Sequence, residues 1–481
     1  MQQPASIRTR FPLLLTVAVT VALLAQAFPL KVAQAASIAS TRALAPNAPS
    51  DDWKTYLGNK LRTGFNAVES SLTPGNVAHL QLQWSQFAAD GVTVQPVVAD
   101  HIVYWGSWDG YEHAFTTAGA HLWDTQIGRT FASACKPKSV GITSAAAVGD
   151  IGSTRTIFVA GGNATFYALN AATGAVIWST RLGSSPDHFL WASPLIVDDS
   201  VYIGVASFCD SPLVQGQFVQ LDASTGAIRH TFNTVPAGCT GGSVWGSPTL
   251  GKSGAMIYIA TGNAGPCSSD EPYAPAIVEL RASDLSVIDS WRLPLNARRG
   301  DKDFGSTPTV FDIATGSTAH YLVGLANKNG IYYTFDRMHL GAGPVWQVRI
   351  ADDRADCPTC GDGSISPSAW DGTTLYVAGG NTTINGTECK GSVRALNPLT
   401  GASLWQDCLH NGPVLGSVTV IDGVVIVAQG TEIDLFDAAN GNSLFTYTDT
   451  RPGSIFFSGA AVAEGRVLVG NLDGYLYAFG L

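Results

Sequence analysis

Residues 168–178 read ALNAATGAVIW, and residues 395–405 repeat the phrase as ALNPLTGASLW. Apolar residues lead up to an Asn, a polar turn closes on Thr-Gly, and β-branched and apolar residues follow to a Trp. Asn and Gly are turn formers for different reasons, one by bonding its own backbone and the other by accepting a left-handed backbone. The phrase reads as two short strands joined by a tight return. Variants of it run through the body: AHLW ending at Trp123, QLDASTGAIRHTF around His230, ELRASDLSVIDSW at Trp291, TFDRMHLGAGPVW at Trp346 and LFDAANGNSLF at Phe445. LQLQW ends at Trp84 without a preceding partner, and the last stretch, VLVGNLDGYLYAFGL, lacks a final strand of its own. Those two halves make one more repeat, eight in all.

The marks at 84, 123, 178, 230, 291, 346, 405 and 445 lie 39 to 61 residues apart. Four strands in a unit of that length are a propeller blade. The fold class predicted is all-β: an eight-bladed β-propeller of four-stranded blades, closed when the N-terminal strand joins the C-terminal blade and leaves no open sheet edge. The recurring Trp residues have a structural use, each ring packing against the neighbouring blade, with His230 and Phe445 as weaker fillers.

The rest of the composition agrees. Among 481 residues there are 52 glycines and only 13% charged residues, which suits short strands and tight turns. The formal charge is −10, and no basic run exceeds Arg298-Arg299, so nucleic acid is excluded as a partner class. Residues 1–35 read as an export signal: Arg8 and Arg10, an apolar run from Phe11 to Leu30, and a small-x-small site at Ala33-Gln34-Ala35. An uncleaved anchor is the alternative, the one route to a membrane. Residues 36–52 read as a disordered lead-in, and 53–481 as one propeller domain. Eight cysteines in an exported chain favour disulfides. Cys389 and Cys408 sit at facing ends of one hairpin and are expected to pair, with Cys209 and Cys239 as a second pair. Cys357-Pro-Thr-Cys360 is followed by Gly361, not His, so it is no haem attachment motif.

The AxDxxTGxxxW phrase, with the lead-in WKTYLGNKLRTGFNAVESSLTPGNVAHLQLQW from Trp53, resembles the quinoprotein-type propellers, which bind pyrroloquinoline quinone (PQQ). The resemblance covers Trp53 to Leu481 and is nearest the polyvinyl-alcohol-dehydrogenase-like branch, without its frequent cytochrome domain. The repeat alone does not specify a cofactor, since outer-membrane assembly lipoproteins share it.

Repeat register, independently of family, brings five residues to one face. Trp245 and Asp303 start the first strands of repeats four and five. Asp210, Asn263 and Lys328 end the second strands of repeats three, four and five. Asp210, Asn263 and Asp303 offer hard oxygen ligands suited to Ca²⁺. Trp245 offers a flat face, and Lys328 a charged donor. The resemblance implies matching roles: GGSVWGSP and IYIATGN for a Trp under the quinone and an Asn on calcium, DKDFGSTP for an Asp base, NKNG for a cation contacting the quinone, and Asp210 for an acidic calcium ligand. Each also has a structural reading: Asn263 as a turn residue like Asn163 and Asn381, Asp303 as a turn cap, Lys328 in a hairpin, Trp245 as core. Relatives that oxidise alcohols often cap the quinone with two adjacent cysteines. FASACKPKSVGIT supplies only Cys135, leaving Trp105, Trp108 and Trp191 as candidates for that face.

The expectation is an exported dehydrogenase that oxidises a small or polymeric alcohol or polyol with PQQ and Ca²⁺. Asp303 would be catalytic, Trp245, Lys328 and Asn263 would hold cofactor, and Asp210, Asn263 and Asp303 would hold metal. Electrons would leave to an external cytochrome or quinone. A non-catalytic binding or assembly scaffold is the alternative. A propeller hydrolase lacks a clear acid partner for Asp303.

Overall fold

The computed structural model describes residues 51–354 and 356–481; the export signal and most of the lead-in lie outside the described residues. Eight sheets follow one another along the chain, each running from an inner to an outer strand. Blade 1 spans residues 97–126, blade 2 147–181, blade 3 195–233, blade 4 249–292, blade 5 309–349, blade 6 369–409 and blade 7 419–448. Blade 8 takes three strands from residues 461–480, and its outermost strand is Gln81–Phe87, paired antiparallel with Tyr475–Gly480. The ring is therefore closed as the orphan strand requires. Among the described residues, no helix is long and apolar enough to cross a membrane.

The repeated phrase is explained by the seams between blades. The indole of Trp178 in blade 2 donates to the Ala223 carbonyl of blade 3 at 2.9 Å. It lies over Gly226, where a Cβ would come within 2.4 Å of the ring. Trp84, Trp123, Trp346 and Trp405 make the same reach, to the carbonyls of Thr117, Ala171, Pro398 and Ala438. Glycine in the turn of one blade is thus the seat for the tryptophan of the blade before it. Trp291 departs from the expected register. Asp289 faces Glu279 where Trp178 faces Ala168, so Asp289 fills the slot and Trp291 stands two residues beyond. The Asp289 carboxylate receives the Gly341 N–H of blade 5 at 2.9 Å, while Trp291 packs on Tyr333 and Phe335.

Residues 53–66 run across the inner strands of all eight blades. Trp53 exchanges backbone hydrogen bonds with Val98 of blade 1, and the carbonyls of Lys54, Lys60, Leu61, Thr63 and Gly64 accept from Val148, Leu250, Val310, Trp370 and Val420. Side chains complete the circuit: Arg62, fully buried, donates to the carbonyls of Pro194 and Pro248, and Asn66 donates to Val462 of blade 8.

Candidate functional site

Loops at the starts of the inner strands converge on one face. Trp245 lies just before Thr249–Leu250, Asn263 just after Met256–Ala260, Lys328 just after Thr318–Ala326, Asp303 before Thr309–Thr315, and Asp210 after Ser200–Ser207. All five line one cleft of about 150 Å³. Antiparallel pairing produces this, because the end of a second strand lies beside the start of the first. Gly305 is needed here: a Cβ would fall 2.0 Å from the Trp245 ring, so a bare backbone lets the half-buried indole lie across it.

At the centre is Lys328. Its ammonium lies 2.7 Å from Asp303 Oδ1, 2.8 Å from Asp301 Oδ1 and 4.7 Å from the centre of the Trp245 ring. Trp245 Nε1 donates to Asp303 Oδ2 at 3.3 Å, and Asn263 Nδ2 donates to Asp301 Oδ1 at 2.7 Å. Burial, with the charge of Asp301, raises the Asp303 carboxyl above its ordinary range against the pull of Lys328. Burial also opposes the Lys328 charge, but Asp303 and Asp301 outweigh it and hold the ammonium above the usual lysine range. Asp210 stands at the exposed rim in a left-handed conformation, φ 58°. Its carboxyl is raised by desolvation and by the charge of Asp303.

Asp301 is the site residue that sequence reasoning missed. Its signal was present in RRGDKDFG: alternate residues of an extended segment project to the same side. Asp301 and Asp303 both reach the Lys328 ammonium, while Lys302 between them turns away to Asp353, Asp356 and Asp362.

Donor chemistry decides whether a cation fits. Asp210, Asp301 and Asp303 set three carboxyl groups against the single Lys328 ammonium; burial is the main cause that raises the Asp303 and Asp210 carboxyls, with the neighbouring carboxylates adding to it. All the donors, with the Asn263 amide oxygen, are hard oxygens suited to Ca²⁺. The carboxylates of Asp210, Asp301 and Asp303 are not all within 4.8 Å of one another, so protein groups alone do not close a cage. The residues fit a metal shared with a further oxygen ligand.

An axial cavity of about 280 Å³ adjoins the cleft, and Trp191 and Trp245 line both. Trp191 holds the same place in blade 3 as Trp245 in blade 4; its Nε1 donates to the Ser207 carbonyl and its ring stacks on Phe208. Trp108 also lines the cavity, whereas Trp105 is buried in the core against His113 and offers no face to it.

The disulfides are Cys135–Cys209, Cys239–Cys267, Cys357–Cys360 and Cys389–Cys408. Cys389 pairs with Cys408 as expected, although Cys389 ends a short added strand, Thr387–Cys389, just before the blade 6 strand Gly391–Leu396 begins; the Cys209–Cys239 pairing is overturned. Cys209 reaches back to the loop after blade 1, and Cys239 reaches forward to the Cys267 loop of blade 4. These two bridges tie loops of different blades, which strand register within one blade does not foresee. Cys209 is in the cleft wall beside Asp210, so a disulfide borders the site although no adjacent pair exists.

Comparison with known proteins follows the same lines. A family model, PQQ_2, described as outer membrane protein assembly factor BamB, matches residues 109–270 and 341–480. A polyvinylalcohol dehydrogenase of Sphingopyxis sp. strain 113P3 is 24% identical over 361 residues, covering 63% of this chain and 53% of that one. The quinoprotein alcohol dehydrogenase PedH of Pseudomonas putida is 24% identical over 308 residues, 55% of this chain and 50% of that one. This chain thus spans about half the length of each. Among solved structures, the quinohemoprotein alcohol dehydrogenase of Comamonas testosteroni shares the fold, with TM-score 0.71 and 17% identity over 89% of this chain and 80% of that one.

Proposed function

The chain belongs to the PQQ_2 family, and from that footing we propose that it is an exported quinoprotein-type dehydrogenase of an alcohol or polyol. The observation that carries the proposal is the buried Lys328, held by Asp303 and Asp301 against the Trp245 ring, in a cleft that also presents Asp210 and Asn263. A scaffold has no need to bury such charges at a shared loop face.

Asp210, Asn263 and Asp303 would hold Ca²⁺, with Asp301 in reach of the same charge. Trp245 would carry the ring of PQQ, with Trp191 beside it across the shared wall of the two cavities. When bound, the quinone would accept the hydride equivalent, its carbonyl polarised by the metal. Asp303 would take the substrate hydroxyl proton, a role its raised proton affinity suits. Lys328 fixes that carboxylate and would donate to an oxygen of the quinone. The substrate would be a small or polymeric alcohol, and an external cytochrome or quinone would take up the electrons.

A scaffold reading is favoured by the description of the family model. Calorimetry of Ca²⁺ binding with and without PQQ separates the two, followed by dye-linked oxidation of primary, secondary and polymeric alcohols. The dehydrogenase reading expects each ligand to tighten the other; no calcium-dependent PQQ binding would leave the scaffold.

A further inference from the structure

The Cys357-Pro-Thr-Cys360 motif carries no haem signature, yet its two sulfurs are joined to each other. Each of the other three bridges has one buried cysteine: Cys135, Cys239 and Cys389 are 2%, 8% and 4% exposed. Cys357 is half-buried and Cys360 is exposed. A thiol must reach a sulfur to exchange with it, so this bridge is the most open of the four. It also closes the shortest loop, with a sequence separation of 3 against 19, 28 and 74. It therefore constrains the unfolded chain least, and its loss leaves the fold standing. Backbone bonds hold the pair without help from sulfur. Cys360 and Asp362 each donate an N–H to the Cys357 carbonyl at 3.0 Å, and Gly361 donates to the Pro358 carbonyl at 2.9 Å. The turn Pro358–Cys360 thus keeps two thiols adjacent for reoxidation.

The same turn backs the carboxylate cleft. Asp356, just before it, bonds the Lys302 ammonium at 2.7 Å and receives the Asp301 backbone N–H. Asp362, just after it, stands 3.8 Å from the same ammonium, and its carboxylate receives the Arg354 N–H at 2.6 Å. Lys302 is buried, so its charge depends on these carboxylates. Gly363 lies so close to Lys328 that a Cβ would fall 2.0 Å from the Lys328 carbonyl oxygen. The Lys328 N–H in turn donates to the Asp303 carbonyl at 3.2 Å. Residues 356–363 therefore support Asp301, Asp303 and Lys328 from behind, and Thr359 within the turn lines the axial cavity.

We propose that Cys357–Cys360 is a redox site that exchanges with a dithiol, and that opening it loosens the backing of the carboxylate cleft. One thiolate of the dithiol attacks Cys360 Sγ, the S–S bond breaks and Cys357 leaves as the thiolate. The Thr359 hydroxyl, 3.5 Å from Cys357 Sγ, is placed to donate to that thiolate. The second thiol then displaces Cys360 from the mixed disulfide. The dithiol ends as a disulfide and the motif as two thiols, with two electrons and two protons passed. The test treats the whole protein with dithiothreitol, maps the opened cysteines by alkylation and peptide mass, and follows amide hydrogen exchange. Cys357–Cys360 should open before the other three bridges. Amides of residues 300–303 and 328 should then exchange about 10-fold faster, and oxidised dithiothreitol should restore the slow rate. Cys357→Ser with Cys360→Ser should exchange at the fast rate without reductant. Opening of another bridge first, or equal exchange in the two redox states, would overturn the proposal. The comparison of redox states on the unaltered protein decides even where the double variant folds poorly. Neither readout needs Ca²⁺ or PQQ, so the outcome is independent of the dehydrogenase reading.

Discussion

Replacing Trp178 and Trp245 by alanine separates the two uses of tryptophan in this chain. Trp178 packs at 6.0 Å from both Phe158 and Phe166 and bonds Ala223 across the seam. Being half-buried, it should cost the lower end of the large-to-small range, ~3 kcal/mol, and the lost hydrogen bond about 1 more. Unfolding entropy of roughly 2.1 cal/mol/K per residue gives a body of roughly 430 residues about 0.9 kcal/mol per degree. Trp178→Ala should therefore lower Tm by about 4 °C if the ring of blades unfolds as one. Trp245 fills none of the outer-strand slots and meets blade 5 only through the cleft residues Asp303 and Gly305. Its indole gives up a 3.3 Å bond to Asp303 and the contact with Lys328, so Trp245→Ala should move Tm by ~1 °C. Its cost should fall on the quinone. One face of the indole is about 100 Å², which at about 25 cal/mol/Å² is about 2.5 kcal/mol, or about 70-fold in PQQ affinity. Calorimetric melting and PQQ titration by tryptophan fluorescence measure both quantities on both variants. Equal losses of Tm would place Trp245 in the core and refute the site; unchanged PQQ affinity would refute its role there.

Asp303→Asn keeps the shape of the cleft and the Trp245 bond but removes the base. It should retain PQQ and lose turnover by about 100-fold or more, measured by dye-linked assay. Lys328→Met leaves the buried Asp303 and neighbouring Asp301 without their counter-ion and should cost about 3 kcal/mol in urea unfolding, an effect that added Ca²⁺ should partly reverse. Glu112 is fully buried with neither carboxyl oxygen bonded, and burial raises its pKa well above the ordinary value. Below its unfolded pKa both states hold the proton; as pH rises toward the folded pKa, the unfolded state loses it first and stability falls. Glu112→Gln should therefore raise Tm more at pH 8 than at pH 4, and an equal change at both would refute the assignment. Non-reducing peptide maps should recover Cys389 joined to Cys408 and Cys135 joined to Cys209; Cys209 joined to Cys239 would contradict the loop arrangement.

What was legible in the sequence is what depends on neighbours along the chain. Strand alternation and the Thr-Gly turn recur locally, so they give the blades, and the blades give the face on which Trp245, Asn263, Asp303 and Lys328 meet. Asp301 was equally legible from the alternation in Asp-Lys-Asp. Trp291 was misplaced because the blade 4 turn lacks the glycine from which the slot is counted. The loop-to-loop disulfides were not legible, since nothing near Cys135 or Cys267 in the chain encodes the distance between blades. Nor was the path of residues 53–66, whose backbone carbonyls are chemically alike and carry no sequence mark.

That path bears on the order in which the molecule forms. The segment is made before any blade, yet its partners range from Val98 to Val462, the last separated from Asn66 by 396 residues. Contacts of such span are the slowest to form, because the entropy of closing the loop is lost before the bonds return it. Arg62 cannot be buried until Pro194 and Pro248 are placed to receive it. Residues 53–66 should therefore remain accessible to protease through most of refolding and become protected last, together with the docking of Gln81–Phe87 onto blade 8.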